Sequence, residues 1–117
     1  MTDSIQARLP LRPADFQILM VLTSGPMHAY GISKATPNNE PGGVRLEIGS
    51  LYRTLNRLHS DGILEEAEVT EPGPQNQTRR AYALTAFGRA VARAEAERLE
   101  AVVAMARDRA ILPGGHS

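Results

Sequence analysis

The chain has 117 residues, enough for one small domain with a core but short enough that a partner subunit is expected to help cover it. Hydrophobic residues make up 42% and charged residues 22%, which is ordinary for a folded globular protein, and thirteen basic residues balance thirteen acidic ones, so no overall positive charge drives polyanion binding. The absence of cysteine excludes disulfides, thiol catalysis and cysteine-based metal sites. No apolar run reaches the roughly 18 residues of a membrane helix, and "MTDSIQARLP" lacks the basic and apolar regions of a leader, so a cytoplasmic location without membrane contact is expected.

Residues 1–9 show little periodicity and are expected to form a mobile or docking tail. "PADFQILMVLTSGP" opens at Pro13, which suits a helix first turn, and closes at Gly25-Pro26. Phe16, Leu19, Met20 and Thr23 keep helical spacing, while Ile18, Val21 and Leu22 widen the apolar surface, so this helix should be buried on more than one side. After a turn at Met27-His28, "AYGISKA" reads as a second helix that Pro37 stops ahead of the loop "PNNEPGG". The short "VRL", residues 44–46, is a strand candidate.

Gly49-Ser50 then opens a third helix in "EIGSLYRTLNRLHSDGILEE". At about 100° per residue, Ile48, Leu51, Leu55 and Leu58 share one sector; Arg53, Asn56, Arg57 and Ser60 project from the other side, with Tyr52 at the boundary. One face is core and the other meets solvent or a ligand. Asp61-Gly62 ends the helix, since glycine enters the left-handed cap conformation at low cost. "ILEEAEV" and "RRAYAL" read as strands joined through "TEPGPQNQT", which makes a hairpin.

Thr85 suits the N-cap of a last helix over 86–112, about 40 Å long at the helical rise. Val91, Leu99, Val102, Val103, Met105 and Ala106 give it an apolar side, and Glu95, Glu97 and Arg98 are expected to form solvated polar faces. So small a domain cannot cover such a helix, and its exposed apolar remainder should pair with another chain. "PGGHS" is a tail. The order helix, helix, strand, helix, strand, strand, helix is that of a winged helix-turn-helix with an added C-terminal helix, an α+β fold that is mainly α. The segments are a tail over 1–9, the winged helix-turn-helix over 10–84, a dimerisation helix over 85–112 and a tail over 113–117.

"HAYGI" in the second helix, "GSLYRTLNRLHSDGIL" through the third helix and "RRAYALTAFG" through the return strand follow one another in an order and spacing that resemble the PadR family of transcriptional regulators, over residues 11–112. The single C-terminal helix is similar to the small subgroup of that family. The resemblance implies a homodimeric repressor that binds DNA, responsive in some members to small phenolic or drug-like molecules. The sequence departs from the family pattern at Ala29, often Gly, at Pro37, which cuts the second helix early, and at Glu47-Ile48, which replaces a common Ser/Thr-Pro and removes a helix cap.

The third helix has the chemistry to read base edges in a major groove, arginine to guanine and asparagine to adenine, through Arg53 and Asn56. Gly49 and Ser50 can bring first-turn amides to a phosphate. Tyr52 either donates its hydroxyl to a phosphate or packs under the second helix, and Arg57 is expected at a phosphate. Arg79 and Arg80 resemble the family's basic wing residues, or else form a solvated strand pair with Glu65 or Glu66 across the hairpin. Lys34 is placed for a phosphate contact, and His28 for a turn or cap. Twelve of the thirteen basic residues are arginine, which either serves phosphate and guanine recognition or reflects a GC-rich coding sequence.

A dimer would place two such helices about one DNA turn apart, which fits an inverted repeat. The resemblance puts effectors near the interface of the first and last helices, here Phe16, Met20, Leu99, Val102, Val103, Met105 and Ala106, a set that reads equally as plain core and dimer seam. No enzyme, metal or cofactor is expected: His28, His59 and His116 are far apart, and no phosphate loop or catalytic triad has a recognisable context. The alternative is a winged helix that binds protein without specific DNA binding, favoured by Glu65, Glu66, Glu68 and Glu71 beside the wing.

Overall fold

A computed structural model describes residues 2–37, 40–70 and 78–114. The elements are α1 (Thr2–Gln6), α2 (Pro13–Val21) with a 3-10 turn over Leu22–Ser24, α3 (Ala29–Ala35), α4 (Ile48–Ser60), β1 (Leu64–Thr70), β2 (Thr78–Leu84) and α5 (Ala86–Asp108). This is the helix-dominated winged helix-turn-helix expected from the sequence. β1 and β2 pair antiparallel, from Leu64 opposite Leu84 out to Thr70 opposite Thr78. The loop over 71–77, including Glu71, and the last three residues, including His116, lie outside the described residues.

The core is built where α2, α3, α4 and the base of the hairpin meet α5. Ile18, Leu19, Leu22, Ile32, Leu51, Leu55, Leu58, Ile63, Leu64 and Val91 are all buried in one cluster. α4 joins it along the stripe that periodicity predicts, except at Ile48, which is exposed. Periodicity fixes the direction of a side chain about the helix axis, but not whether a neighbour reaches the first turn to cover it. α3 matches its predicted span, and Thr36 Oγ1 closes it by donating to the Ile32 carbonyl at 2.7 Å.

Three expectations are corrected. The segment over 1–9 is not unstructured throughout: α1 packs on α5, and Ile5 and Leu9 rest on the core. A five-residue helix is too short for a periodic signal. "VRL" forms no strand; the backbone of Tyr82 instead pairs with Met27, N–H to carbonyl in both directions at 3.1 and 2.9 Å, so the residue just ahead of the α3 N-cap takes the ladder position beside β2. α5 stops at Asp108 rather than 112. Ala110 turns left-handed at φ 62°, and the Ala110 and Ile111 amides donate to the carbonyls of Arg107 and Ala106, a Schellman ending without glycine.

The start of α5 is fixed against the hairpin. Thr85 Oγ1 accepts from the Gly88 amide at 2.9 Å, as an N-cap should, and donates to the carbonyls of Gly62 and Ile63. Gly88 lies so close that a Cβ there would overlap the Ile63 carbonyl. Beyond this anchor α5 runs about 35 Å at the helical rise, and the molecule measures 61 × 35 × 23 Å. Its second half leaves the domain, with Val102, Val103 and Met105 exposed.

Candidate nucleic-acid interface

Leu51, Leu55 and Leu58 bury one side of α4, which leaves Gly49, Ser50, Tyr52, Arg53 and Asn56 exposed on the other. Arg53 Nη2 donates to Ser50 Oγ at 3.3 Å, and Asn56 shares the same outward face three residues on. Ser50 Oγ is thus an acceptor for Arg53, and among the described residues no cap bond to it from a backbone amide is found. Glu47, at the N-cap position, makes no side-chain cap bond either.

Between α3, α4 and β2 lies a cleft of about 290 Å³ lined by His28, Ala29, Tyr30, Tyr52, Arg79, Arg80 and Tyr82. All three tyrosines of the chain meet there. His28 Nδ1 accepts from the Gly31 amide at 3.0 Å and so caps α3, the role its position suggests. Tyr30 stacks on His28 with ring centroids 6.4 Å apart, and Lys34 Nζ sits 5.4 Å from the Tyr30 ring centre. On the hairpin the register places Arg79 opposite Val69 and Arg80 opposite Glu68, on alternate faces. Arg80 ion-pairs with Glu66 and lies 5.5 Å from the centre of the Tyr82 ring, so the cross-hairpin pair with Glu66 is present.

Arg57 leaves α4 on the flank away from Tyr52. Its Nη2 donates to Asp15 Oδ1 at 2.8 Å, and Asp15 is only 4% exposed. That hydrogen bond, opposed by partial burial and reinforced by the charges of Asp15 and Asp61, raises the guanidinium pKa. Neither Asp15 nor Tyr30 stands out in the sequence. An acid in a helix first turn reads as a dipole partner, and nothing local points to an arginine 42 residues away.

A second cleft, of about 330 Å³, is lined by Leu11, Pro13, Phe16, Gln17, Met20, Gly42, Glu95, Arg98 and Leu99. It brings together Phe16, Met20 and Leu99 of the expected interface, while Val102, Val103, Met105 and half-buried Ala106 follow further along α5. Glu95 is not the solvated residue that the polar pattern of α5 suggests. It is buried, its carboxylate bonds to the Leu11 backbone, and Arg98 donates to both of its oxygens at 2.7 and 2.8 Å. The Arg98 bonds, partly offset by burial, hold the carboxyl below its ordinary pKa.

The sequence model described as the Transcriptional regulator PadR-like family matches residues 18–94, a span that includes α3, α4 and the whole hairpin. The chain belongs to this family. No curated protein matches it. Among solved structures, the PadR-like chain is similar to a PadR family regulator from Clostridium difficile R20291, with a TM-score of 0.66 and 19% identity over 80% of this chain and 94% of that one. A PadR family regulator from Eggerthella lenta DSM 2243 is similar with a TM-score of 0.58 and 21% identity over 97% of this chain and 96% of that one. Bacillus subtilis PadR, solved in complex with operator DNA, gives a TM-score of 0.57 and 18% identity over 75% of this chain; the match spans 47% of that protein. Among the described residues of the PadR-like chain, no helix is long and apolar enough to cross a membrane, and no group of three or more His, Asp or Glu is placed to hold a metal ion.

Proposed function

We propose that this PadR-like regulator is a homodimeric repressor that binds an inverted repeat in double-stranded DNA, with α4 in the major groove. The observation that carries this reading is the exposed face of Tyr52, Arg53 and Asn56 backed by three buried leucines, an apolar anchor under a hydrogen-bonding surface. Arg53 and Asn56 read bases. Lys34, the amides at Gly49 and Ser50, the Tyr52 hydroxyl, Arg79 and Arg80 hold the backbone. The operator complex of Bacillus subtilis PadR supports the reading through shared fold.

Dimerisation falls to the projecting half of α5, whose exposed Val102, Val103 and Met105 leave an apolar stripe without cover. A small hydrophobic or phenolic effector is assigned to the cleft of Phe16, Met20 and Leu99 at the base of that stripe. It relieves repression only by binding one dimer conformation better than the other. The exposed Glu65, Glu66 and Glu68 on β1 favour a second reading, a protein-binding winged helix, which predicts no salt-sensitive DNA binding.

Fluorescence anisotropy separates the two. The chain is titrated against DNA from upstream of its own gene and against a scrambled duplex, at about 50 and 200 mM salt. Three or four phosphates per subunit give a log-log salt slope on the order of −6 for the dimer. A preference for one duplex with that slope supports the repressor. Should the upstream DNA show no preference and a random-sequence pool yield no selected site, the protein-binding reading takes its place.

A further inference from the structure

α2 has two sides with different work. Phe16, Gln17 and Met20 line the cleft against α5, whereas Asp15 turns inward and reaches across to α4. Asp15 is buried and its carboxylate takes a 2.8 Å hydrogen bond from Arg57 Nη2, whose own side chain remains partly exposed. Along the buried face of α4 the contacts are leucines, and at its C-terminal end Asp61 pairs with Arg8 at 3.4 Å while the Ile63 amide donates to the Leu58 carbonyl. Leu51, Leu55 and Leu58 are fully buried, but apolar burial is non-directional and fixes the depth of a helix better than its rotation about its own axis. A charge-assisted hydrogen bond is directional. Arg57 stands about 140° around the helix from Tyr52 and about 40° from Arg53, so whatever fixes Arg57 also fixes where Arg53 and Asn56 point.

We propose that Asp15 is a positioning residue for DNA recognition: it pins Arg57, thereby aims the base-reading face of α4, and withholds one cation from sequence-independent phosphate binding. The proposal rests on the DNA-binding reading above. It reassigns Arg57 from the phosphate contacts to the scaffold. Base readout tolerates only about 10–20° of misorientation, so a helix free to roll loses its preferred site first. A freed arginine adds affinity for any duplex, since phosphate contacts carry no sequence information. The two effects have opposite signs on specific and non-specific DNA. A merely structural role cannot produce that pattern, because loss of folded protein weakens both alike.

The test uses the full chain, a duplex selected by the wild-type protein from a random-sequence pool, and a scrambled duplex, titrated at several salt concentrations. For Asp15→Asn the selected duplex is expected to bind about 10-fold more weakly and the scrambled one about 2-fold more tightly, with a salt slope on scrambled DNA steeper by about 2 for the dimer. Equal changes on both duplexes, or an unchanged ratio, overturn the proposal. Arg57→Gln, made at a partly exposed position, carries the same test where Asp15→Asn does not fold. It should weaken the selected duplex and leave the scrambled one unchanged, whereas an equal loss on both would return Arg57 to the phosphate contacts. A wild-type chain that selects no sequence overturns the DNA reading and this proposal together; a selective wild type with an unchanged variant ratio overturns this proposal alone.

Discussion

Arg98 Nε and Nη2 donate to Glu95 Oε1 and Oε2 at 2.7 and 2.8 Å, a two-point pair between residues one turn apart on α5 whose acidic member is 2% exposed. A carboxylate so deeply placed carries a desolvation cost, and the pair with Arg98 and the bond to the Leu11 backbone outweigh it. Its pKa is lowered in the folded state. The stabilisation it gives is therefore complete above the unfolded glutamate range and is lost as pH falls through the lower folded value.

Thermal melts between about pH 7 and pH 3 should thus show a loss of stability on the acid side to which Glu95 contributes. Glu95→Gln removes the charge and keeps the shape. It is expected to destabilise the fold by about 1–3 kcal/mol at neutral pH and to flatten the acid limb of the curve. An acid limb identical to wild type would show that the pair contributes no pH dependence.

Arg53→Ala tests the reading face. Its guanidinium is exposed and held only by Ser50 within the described contacts, so removal should leave the fold and the proposed dimer intact. Affinity for the selected duplex is expected to fall by about 1–3 kcal/mol with little change on scrambled DNA. Unchanged affinity for the selected site in a direct titration takes Arg53 out of base recognition.

Much of this site could be read from the sequence because its determinants are local. The leucine stripe of α4, the His28 and Thr85 caps and the pairing of the two strands as a hairpin follow from spacing and residue type over a few positions. The parts that could not be read depend on partners far along the chain. Asp15 meets Arg57 across 42 residues, the Leu11 backbone bonds to Glu95, and Met27, rather than the strand candidate "VRL", pairs with Tyr82 of β2. No local pattern encodes which element passes over a given side chain, and burial of Glu95 or exposure of Ile48 turns on that alone.

Glu66 holds Arg80 by the same charge that a DNA phosphate would offer. Both side chains are more than half exposed, so the pair contributes about 0–1 kcal/mol to stability, and its loss should leave the fold unchanged. Glu66→Gln removes the competitor for Arg80. Binding to selected and scrambled DNA is expected to tighten together, about 2- to 5-fold, with a steeper salt slope. Glu65→Gln, on the opposite face of the strand and across from Ala83, is the matching charge control; equal gains from both variants would reduce the effect of Glu66 to net charge.

Gly88 tests how α5 is fixed to the domain. The Ile63 carbonyl occupies the space a Cβ would need, and it belongs to backbone that also accepts from Thr85 Oγ1. Neither side can yield without disturbing the N-cap. Gly88→Ala is expected to destabilise by about 1–3 kcal/mol despite the better helix propensity of alanine, as read by chemical denaturation. A neutral or stabilising outcome would mean that α5 shifts along the hairpin at little cost.

The last prediction concerns the projecting half of α5. Met105 is 49% exposed and lies beyond the elements that cover the first half of the helix, with Val102 one turn before it. A charge at Met105 costs the isolated chain little, because the side chain already meets water there. In a dimer that buries this stripe, the same charge would lie in an apolar seam without a partner. Met105→Glu should therefore leave the circular dichroism spectrum of a helical protein intact while shifting sedimentation from dimer to monomer, and DNA affinity should fall with the dimer because two half-sites no longer act together. If the variant sediments as a dimer and binds DNA as before, the second half of α5 is not the seam, and the pairing surface must lie elsewhere.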